Sequence, residues 1–415
     1  MALPAPFVPI VRVFGYREYA LFMGGMGPNL VTLWMQRLGM GWLAWELTES
    51  PTWLGIIAAA DLAPMILLAP LAGAFTDRQD PVRLQIITQW LNAAIAAALA
   101  LFTFVGWMRI ELLLLLALLG GIVHPFASTA RHAIVPRTVP HADFATAIAT
   151  DSALFHASRF IGPALAAPMI AFGGIEVCFA ANALTELWFV LLLMKMQLDF
   201  SDRRPHKGRN ILGDIGVALT YVRGHAGIWP LFILMTAVSI CLRPLQDMLP
   251  GFAGAVFDAG ATGLAWLTAS MGVGATLSAS WIAMRGRVGG LTTVVLAGGA
   301  MVALATFGFI ATANLWVAVL FGAGTGFALT VMSTGTQALI QSALTDDLRG
   351  RVMGLYTLIY RGLPALGALA LGAIAEVFGL RVAFAAAAAL MLVACIWVVP
   401  RRRAMVGALE AERRP

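Results

Sequence analysis

The sequence predicts an all-α polytopic membrane protein with about 12 transmembrane helices in two similar six-helix halves. Its composition is the first reason, because 60% of the 415 residues are hydrophobic, only 12% are charged and the mean hydropathy is +0.85. Soluble domains are closer to half apolar and a quarter charged. Apolar stretches of about 20 residues, long enough to cross a bilayer, recur along the whole chain. Finally, the second half of the chain repeats features of the first.

Charged or turn-rich breaks separate the predicted spans. The first six spans run over 20–45, 53–76, 84–106, 110–130, 144–171 and 174–196. The second six run over 228–256, 261–284, 290–311, 314–342, 352–376 and 380–399. The predicted domains are an N-terminal half (1–196), a linker (197–227), a C-terminal half (228–400) and a tail (401–415).

Basic residues predict the orientation of these spans. Of the 27 Lys and Arg residues, four lie inside spans and two, Arg109 and Arg381, follow odd-numbered spans. The other 21 fall in the termini, or at the end of or after even-numbered spans, which places both termini and the linker in the cytoplasm. Within the linker, residues 211–222 have apolar side chains at helical spacing and predict an amphipathic helix on the membrane surface. We expect a bacterial-type inner (cytoplasmic) membrane protein.

Several classes of function lack their sequence features. The net charge of +6 reflects membrane orientation, since no folded basic domain supports nucleic-acid binding. Cys178, Cys241 and Cys395 lie far apart in apolar runs, which predicts buried packing instead of a disulfide or metal site. No Walker lysine motif, HExxH or GxSxG elbow occurs. We therefore expect no enzyme activity, cofactor or metal, and a monomer whose partners are the bilayer, a small-molecule substrate and protons.

The internal repeat has a period of roughly half the chain. The stretch "ASRFIGPALAAPMIAFGGIEVCFAANAL" resembles "IYRGLPALGALALGAIAEVFGLRVAFAAAAAL" in the second half. Arg159 with Pro163 corresponds to Arg361 with Pro364. Two similar six-helix halves predict a pseudo-twofold axis along the membrane normal and a substrate site at the midplane between them.

These features resemble the Major Facilitator Superfamily. The match lies in the 6+6 repeat, the long middle loop and "GAFTDRQDPVR". The stretches "WMQRLGMGWLAWELTESPTWLG", "RFIGPAL" and "DDLRGRVMGLY" resemble the branch with enterobactin exporters and macrolide-efflux proteins. The resemblance covers nearly the full chain and implies a secondary active transporter.

The loop after span two matches the superfamily's gate motif. The residues that match are Gly73, Asp77, Arg78 and Arg83. The resemblance implies that Gly73 permits close helix packing and that Asp77 faces the N-terminus of span eleven, near Val352. Asp80 and Pro81 depart from the motif, where glycine and a basic residue are usual. The alternative is an ordinary charged turn.

Span five carries a Gly-Pro pair, Gly162 and Pro163, that is similar to the family's antiporter signature. Small residues around the pair keep close packing feasible, and the proline permits a bend. The similarity favours export over import. The alternative is a kinked helix without special meaning.

Ionisable residues within spans are functional candidates because they are costly there. The basic ones are Arg37, Arg159, Arg243 and Arg361, and the acidic ones are Asp61, Asp151, Glu186 and Asp247. Depth along the helices predicts an Arg37–Asp61 pair, and spacing of one turn allows Arg243 to pair with Asp247. Asp61 is the first candidate for the coupling proton and Asp151 the second. Packing, pairing or contact with cytoplasmic water are the alternatives, and Glu186 is the acid for which packing is favoured.

The predicted cavity is lined by spans one, four, seven and ten, with two, five, eight and eleven. Its candidate residues mix aromatic contact with hydrogen-bonding groups, as small-molecule sites do: Trp34, Gln36, His124, Phe155, Trp266, Gln337 and Tyr360. Packing or anchoring at the membrane interface is the alternative for each aromatic residue.

Together, these features predict proton-driven export of an amphipathic small molecule, such as a drug or a siderophore, by alternating access. Alternatives within the transporter class are an uncoupled facilitator and a lipid or siderophore translocator. Alternatives outside it are an intramembrane enzyme and a non-transporting membrane sensor or assembly partner.

Overall fold

A computed structural model describes residues 8–198, 200, 211–285, 289–344 and 346–410. Within these residues the regular structure is helical. The helices up to the linker are α1 (Val8–Phe14), α2 (Arg17–Thr48), α3 (Pro51–Thr76), α4 (Pro81–Phe104), α5 (Ile110–Ile134), α6 (Phe144–Gly173) and α7 (Glu176–Leu193). Those that follow are α8 (Ile211–Gly224), α9 (Ile228–Cys241), α10 (Leu245–Gly251), α11 (Gly260–Arg285), α12 (Leu291–Ala311), α13 (Leu315–Ala343), α14 (Asp346–Phe378), α15 (Leu380–Val398) and α16 (Arg402–Leu409).

The predicted helical spans are confirmed. Helices α2 to α7 match the first six, and α9 with α10 followed by α11 to α15 match the second six. In the described part of the chain, nine helical stretches are long and apolar enough to cross a membrane. The helix predicted over 211–222 is α8, and the three cysteines are buried as expected. The predicted domain boundaries and the position of α8 on a membrane surface stay predictions.

The chain forms two compact units. The first comprises Met1–Leu43 with Ala63–Gly208, and the second comprises Ala44–Leu62 with Arg209–Pro415. The end of α2 and the start of α3 therefore belong to the second unit, a division that the hydropathy pattern does not show.

Glycines let α2 and α7 pack closely in the first unit. A methyl group at Gly25 would lie 2.2 Å from the ring of Phe189, and one at Gly39 would lie 2.9 Å from Phe179. Phe22 packs edge-on against Phe189 with ring centroids 5.4 Å apart. All three phenylalanines are fully buried. The absent Cβ atoms thus allow aromatic rings on α7 to lie against the backbone of α2.

In the second unit, the segment 44–62 packs on the end of α14. A methyl group at Gly55 would lie 2.4 Å from a backbone oxygen of α14, and one at Gly372 would lie 2.6 Å from a backbone oxygen at the start of α3. The Glu376 carboxylate accepts a hydrogen bond of 2.6 Å from Ser50 Oγ and one of 3.1 Å from the first turn of α3. A carboxylate of α14 thus caps the N-terminus of α3.

The last described helix, α16, is held to the start of α12 by Glu410. This carboxylate accepts hydrogen bonds from the backbone N–H groups of Gly290 and of Thr292, the latter at 2.7 Å. Partial burial acts to raise the pKa of Glu410, but the hydrogen bonds from Thr292 and Gly290 outweigh it and lower the pKa below its ordinary value of 4.5.

We expect Glu410→Gln to weaken this cap by about 1 kcal/mol at neutral pH, since glutamine keeps one acceptor oxygen but loses the charge. The folded-state pKa of Glu410 lies below the unfolded one, so its contribution is complete above the unfolded pKa and is lost as the pH falls through the folded pKa. Melting curves in detergent check this. The variant should melt a few degrees below the wild type at pH 7, and the two should converge once the pH has fallen below the folded-state pKa of Glu410. An equal gap at both pH values would contradict this role of the charge.

Candidate functional site

An aromatic and cationic cluster lies where α2 faces α6 in the first unit. The Trp34 indole has the guanidinium carbon of Arg37 5.1 Å from its centroid and that of Arg159 5.0 Å from it. Phe155 packs edge-on against Trp34 at 6.1 Å. Trp34 and Arg37 are three residues apart on α2, and Phe155 and Arg159 are four apart on α6, so each pair shares a helix face. The sequence spacing thus explains why these four side chains meet.

Arg131 on α5 extends this cluster. Its Nη2 lies 2.6 Å and its Nε 3.0 Å from Asp151 Oδ1, and its guanidinium carbon is 5.5 Å from the Phe155 centroid. Both members of the ion pair are buried. The predicted span ended near residue 130, whereas α5 continues to Ile134 and includes Arg131. We define the Trp34 cluster as Trp34, Arg37, Arg131, Asp151, Phe155 and Arg159.

The ion pair bears on the proton-coupling role proposed for Asp151. Its carboxylate accepts hydrogen bonds from the Arg131 guanidinium, which favours the pairing alternative. The cytoplasmic-water alternative for Asp151 is also disfavoured, since the residue is only 5% exposed. Asp151 therefore has a structural partner that the sequence did not reveal.

Close packing at Gly162 positions α6 against α2. A methyl group there would lie 2.6 Å from the backbone oxygen of Val31 and 2.7 Å from Trp34 Cβ. Pro163 follows within the continuous helix α6. The small residues around Gly162 thus permit the close packing that the sequence predicted. In the structure, this is the packing of α6 against α2 beside Trp34.

The opposite face of α2 carries a polar ladder to α7. Asn182 Nδ2 donates to Gln36 Oε1 at 2.9 Å. Thr32 Oγ1 lies 2.9 Å from Asn182 Oδ1 and 2.6 Å from Thr185 Oγ1. Glu186 ends the ladder and is only 2% exposed. Gln36 was predicted to line a cavity, but it is buried between helices because it lies two residues from Trp34, on another side of α2.

In the second unit, a cation lies on an aromatic stack. The guanidinium carbon of Arg243 is 4.0 Å from the Tyr360 centroid, and Tyr360 stacks on Tyr356 at 5.7 Å with an interplanar angle of 7°. The Tyr356 hydroxyl donates to the Ser333 carbonyl at 2.9 Å. Arg243 lies in the break between α9 and α10, so it and Asp247 do not share one continuous helix as the sequence suggested.

Three other candidates lie at exposed positions. Trp266 is 49% exposed and packs edge-on against the exposed Trp316, with centroids 5.4 Å apart. An exposed aromatic pair near helix ends is typical of a membrane interface, which favours the anchoring alternative for Trp266. Gln337 and Arg361 are also exposed, and Arg361 lies inside α14, as the sequence predicted.

The remaining candidates are half-buried. Asp61 lies on α3, Asp247 on α10 and His124 on α5. The predicted pairing of Arg37 with Asp61 stays a prediction, as does that of Arg243 with Asp247. These positions leave the candidate roles of the three residues open to experiment.

Comparison with protein families identifies the family to which this helical chain belongs. A family model described as "Transmembrane secretion effector" matches residues 20–413, nearly the whole chain. The chain belongs to this family of the Major Facilitator Superfamily. The predicted superfamily is thereby confirmed, and the protein is a multi-pass membrane transporter by family.

Relatives of this transporter match over most of their lengths. The staphyloferrin A transporter of Staphylococcus aureus is 22% identical over 89% of this chain and 91% of its own. The multidrug efflux pump Tap of Mycolicibacterium fortuitum is 26% identical over 93% of this chain and 95% of its own. A D-xylose–proton symporter structure superposes with a TM-score of 0.71 at 14% identity, covering 92% of this chain and 97% of that one, which shows the shared fold.

The predicted gate motif runs from the last turn of α3 into the first turn of α4. The side chains of Asp77, Arg78 and Arg83 are exposed. A methyl group at Gly73 would meet no atom within 4 Å, so the close helix contact predicted there is not observed. Asp80 accepts from the backbone N–H groups of the first turn of α4, at 2.8 Å and 3.4 Å, and thus caps that helix. The family pattern has glycine and a basic residue where this chain has Asp80 and Pro81. Here the two residues begin α4, Asp80 as its N-cap and Pro81 as its first residue.

Sequence reasoning missed Arg131 and the polar ladder. Arg131 lies where the apolar run ends, so hydropathy alone could not place it in α5. The ladder did leave a signal, because Thr32 and Gln36 on α2, and Asn182 and Glu186 on α7, each repeat at helical spacing. Only the pairing of α2 with α7 shows that these two polar faces satisfy each other.

Proposed function

We propose that this transporter exports an amphipathic small molecule, drug-like or siderophore-like, across the bacterial inner membrane by proton-driven alternating access. Both termini lie in the cytoplasm in this proposal, as the distribution of basic residues predicts. The names of the efflux pump and the siderophore transporter among its relatives support export of this class of molecule.

The observation that carries the proposal is the Trp34 cluster. An indole and a phenyl ring offer apolar contact, while the guanidinium groups of Arg37 and Arg159 lie 5.1 Å and 5.0 Å from the indole centroid. Guanidinium groups donate paired hydrogen bonds to carboxylates and other oxyanions, and aromatic faces bind flat rings. A ligand with an aromatic or apolar body and oxygen-rich acidic groups suits this combination best.

The test uses purified protein in liposomes with an imposed pH gradient and an internal pH dye. The panel contains macrolides, lipophilic cations and catecholate siderophores. Proton flux evoked by one class would establish antiport and identify that class. Tracer uptake without proton movement would show a facilitator and contradict proton coupling. If no compound evoked proton flux or tracer uptake, export of these classes of compound would be contradicted.

For the class of compound that is transported, we expect Arg159→Gln to raise the apparent KM about tenfold. The reason is that the variant loses one cation–π contact and one ionic contact. Arg159→Lys should recover only part of the affinity, because an ammonium keeps the charge but not the planar donor pair. Trp188→Phe is the matched control, since Trp188 is a 49% exposed tryptophan on α7 outside the cluster. An unchanged KM in Arg159→Gln would remove the cluster from substrate binding.

A further inference from the structure

A second site in the first unit surrounds Glu186. This glutamate lies on α7, is 2% exposed and faces Asn29 of α2 and Gln89 of α4. Its Oε2 atom has no hydrogen-bond partner among the residues that the structure describes. We define the Glu186 pocket as Glu186, Asn29, Gln85 and Gln89.

The rest of the pocket is a chain of amides. Gln85 Nε2 donates to Gln89 Oε1 at 3.3 Å, and Gln89 Nε2 donates to Asn29 Oδ1 at 3.4 Å. In the described residues this leaves two buried amide atoms unused, the donor Asn29 Nδ2 and the acceptor Gln85 Oε1. All three amide side chains are at most 6% exposed. Buried polar atoms without partners are rare in proteins and call for an explanation.

The groups that act on Glu186 from α2 and α4 are the uncharged side chains of Asn29 and Gln89. An ionised carboxylate needs hydrogen-bond donors, and the unused donor of the pocket is on α2. A protonated carboxyl also donates, and the unused acceptor, Gln85 Oε1, is on α4. The two protonation states of Glu186 therefore use the amide groups of this pocket differently.

Helix α2 links the pocket to the Trp34 cluster. Its Thr32 and Gln36 contact α7 and its Asn29 contacts Gln89 of α4, whereas Trp34 contacts Phe155 and Arg159 of α6. The Glu186 pocket and the Trp34 cluster therefore share one helix, α2.

We propose that the Glu186 pocket is the proton-binding site that couples this transporter, with Glu186 Oε2 taking up and releasing the proton. The inference rests on the proposed function, and it assigns the coupling role to Glu186 instead of Asp61 or Asp151. No bond other than O–H forms or breaks in this step.

The first test is infrared difference spectroscopy of the purified protein across a pH titration. The wild type should show the C=O stretch of a buried carboxylic acid that disappears as the pH rises. The band should be absent in Glu186→Gln and unchanged in Glu111→Gln, whose glutamate is exposed on α5. A wild type without the band, or with a band that never titrates, would overturn the proposal.

Transport in liposomes separates this inference from the proposed function. Glu186→Gln should retain downhill substrate exchange within about twofold of the wild type but lose at least tenfold of the uphill accumulation driven by a pH gradient. Full uphill transport in Glu186→Gln, with a proton-driven wild type, would overturn the inference and leave the proposed function intact. A wild type without proton-driven transport would overturn the proposed function itself. Uphill transport driven by sodium and lost in the variant would make the pocket a sodium site and overturn the proton assignment.

A second variant keeps the test decisive if Glu186→Gln does not fold. Gln85→Leu removes the acceptor that we assign to the protonated carboxyl and leaves Glu186 in place. Its infrared band should disappear at lower pH than in the wild type, because the protonated state loses a hydrogen bond. An unshifted titration would contradict the roles assigned to Gln85 and Glu186.

Discussion

Gly274→Ala is expected to abolish the native packing of α11 on α13. A methyl group at Gly274 would lie 1.8 Å from the Ala323 backbone oxygen, and one at Gly326 would lie 1.9 Å from the Met271 backbone oxygen. Backbone atoms within a helix cannot move away alone, so the two helices must separate along their contact. We expect a loss of about 3 kcal/mol or more, the upper range for overpacking.

The measurement is the yield of monodisperse protein in detergent together with its melting temperature. Gly354→Ala is the matched control, because a methyl group at this exposed position of α14 would meet no atom within 4 Å. That variant should match the wild type or exceed it slightly, since alanine favours helix more than glycine does. Equal stability of the Gly274 and Gly354 variants would show that α11 and α13 are not packed as described.

Removing one member of the Arg131–Asp151 pair is expected to have the second large effect. Arg131→Met leaves the Asp151 carboxylate buried without its guanidinium, and breaking a buried pair costs about 3–5 kcal/mol. The double variant Arg131→Met, Asp151→Leu should recover most of this loss, because no uncompensated charge remains. Melting temperatures of the two single variants and the double variant give the coupling directly.

Arg109→Met serves as the control for a lost surface charge, since Arg109 is exposed before α5. It should change the melting temperature little. Additive losses in the double variant would show that the pair does not contribute as a unit. An Asp151→Asn variant that folds like the wild type but loses the pH dependence of transport would restore Asp151 as the coupling acid.

Much of the helical framework could be predicted, because each span must satisfy its own backbone hydrogen bonds in a medium without water. This requirement makes length and hydropathy informative, and the predicted spans agree with α2 to α7 and α9 to α15 within a few residues. The difference that affects the candidate site is at the end of α5, which extends past the predicted boundary to include Arg131. Arg131 is polar, so hydropathy placed it outside the helix, and only its contact with Asp151 explains why a charge is tolerated there.

The candidate site was predictable in part. Trp34, Phe155, Arg37 and Arg159 were each singled out as aromatic or charged residues inside spans, and helical spacing pairs them correctly on α2 and α6. Gln36 was misplaced because a single helix does not show which of its faces meets a neighbour. The same ambiguity left packing as the favoured role of Glu186, although its Oε2 atom has no hydrogen-bond partner among the described residues.

The sequence by itself determined the class of this protein. Hydropathy, the asymmetry of basic residues and the internal repeat act at the level of single helices and loops, and they predict a polytopic membrane protein with two six-helix halves. The resemblance of motifs such as "GAFTDRQDPVR" then implied the Major Facilitator Superfamily. Only the tertiary structure decided which polar groups meet: Arg131 with Asp151, Asn182 with Gln36, and Glu186 with Asn29 and Gln89. The physical reason is that the free energy of a buried charge or amide depends on the partner brought to it by another helix, and that partner is distant in the sequence.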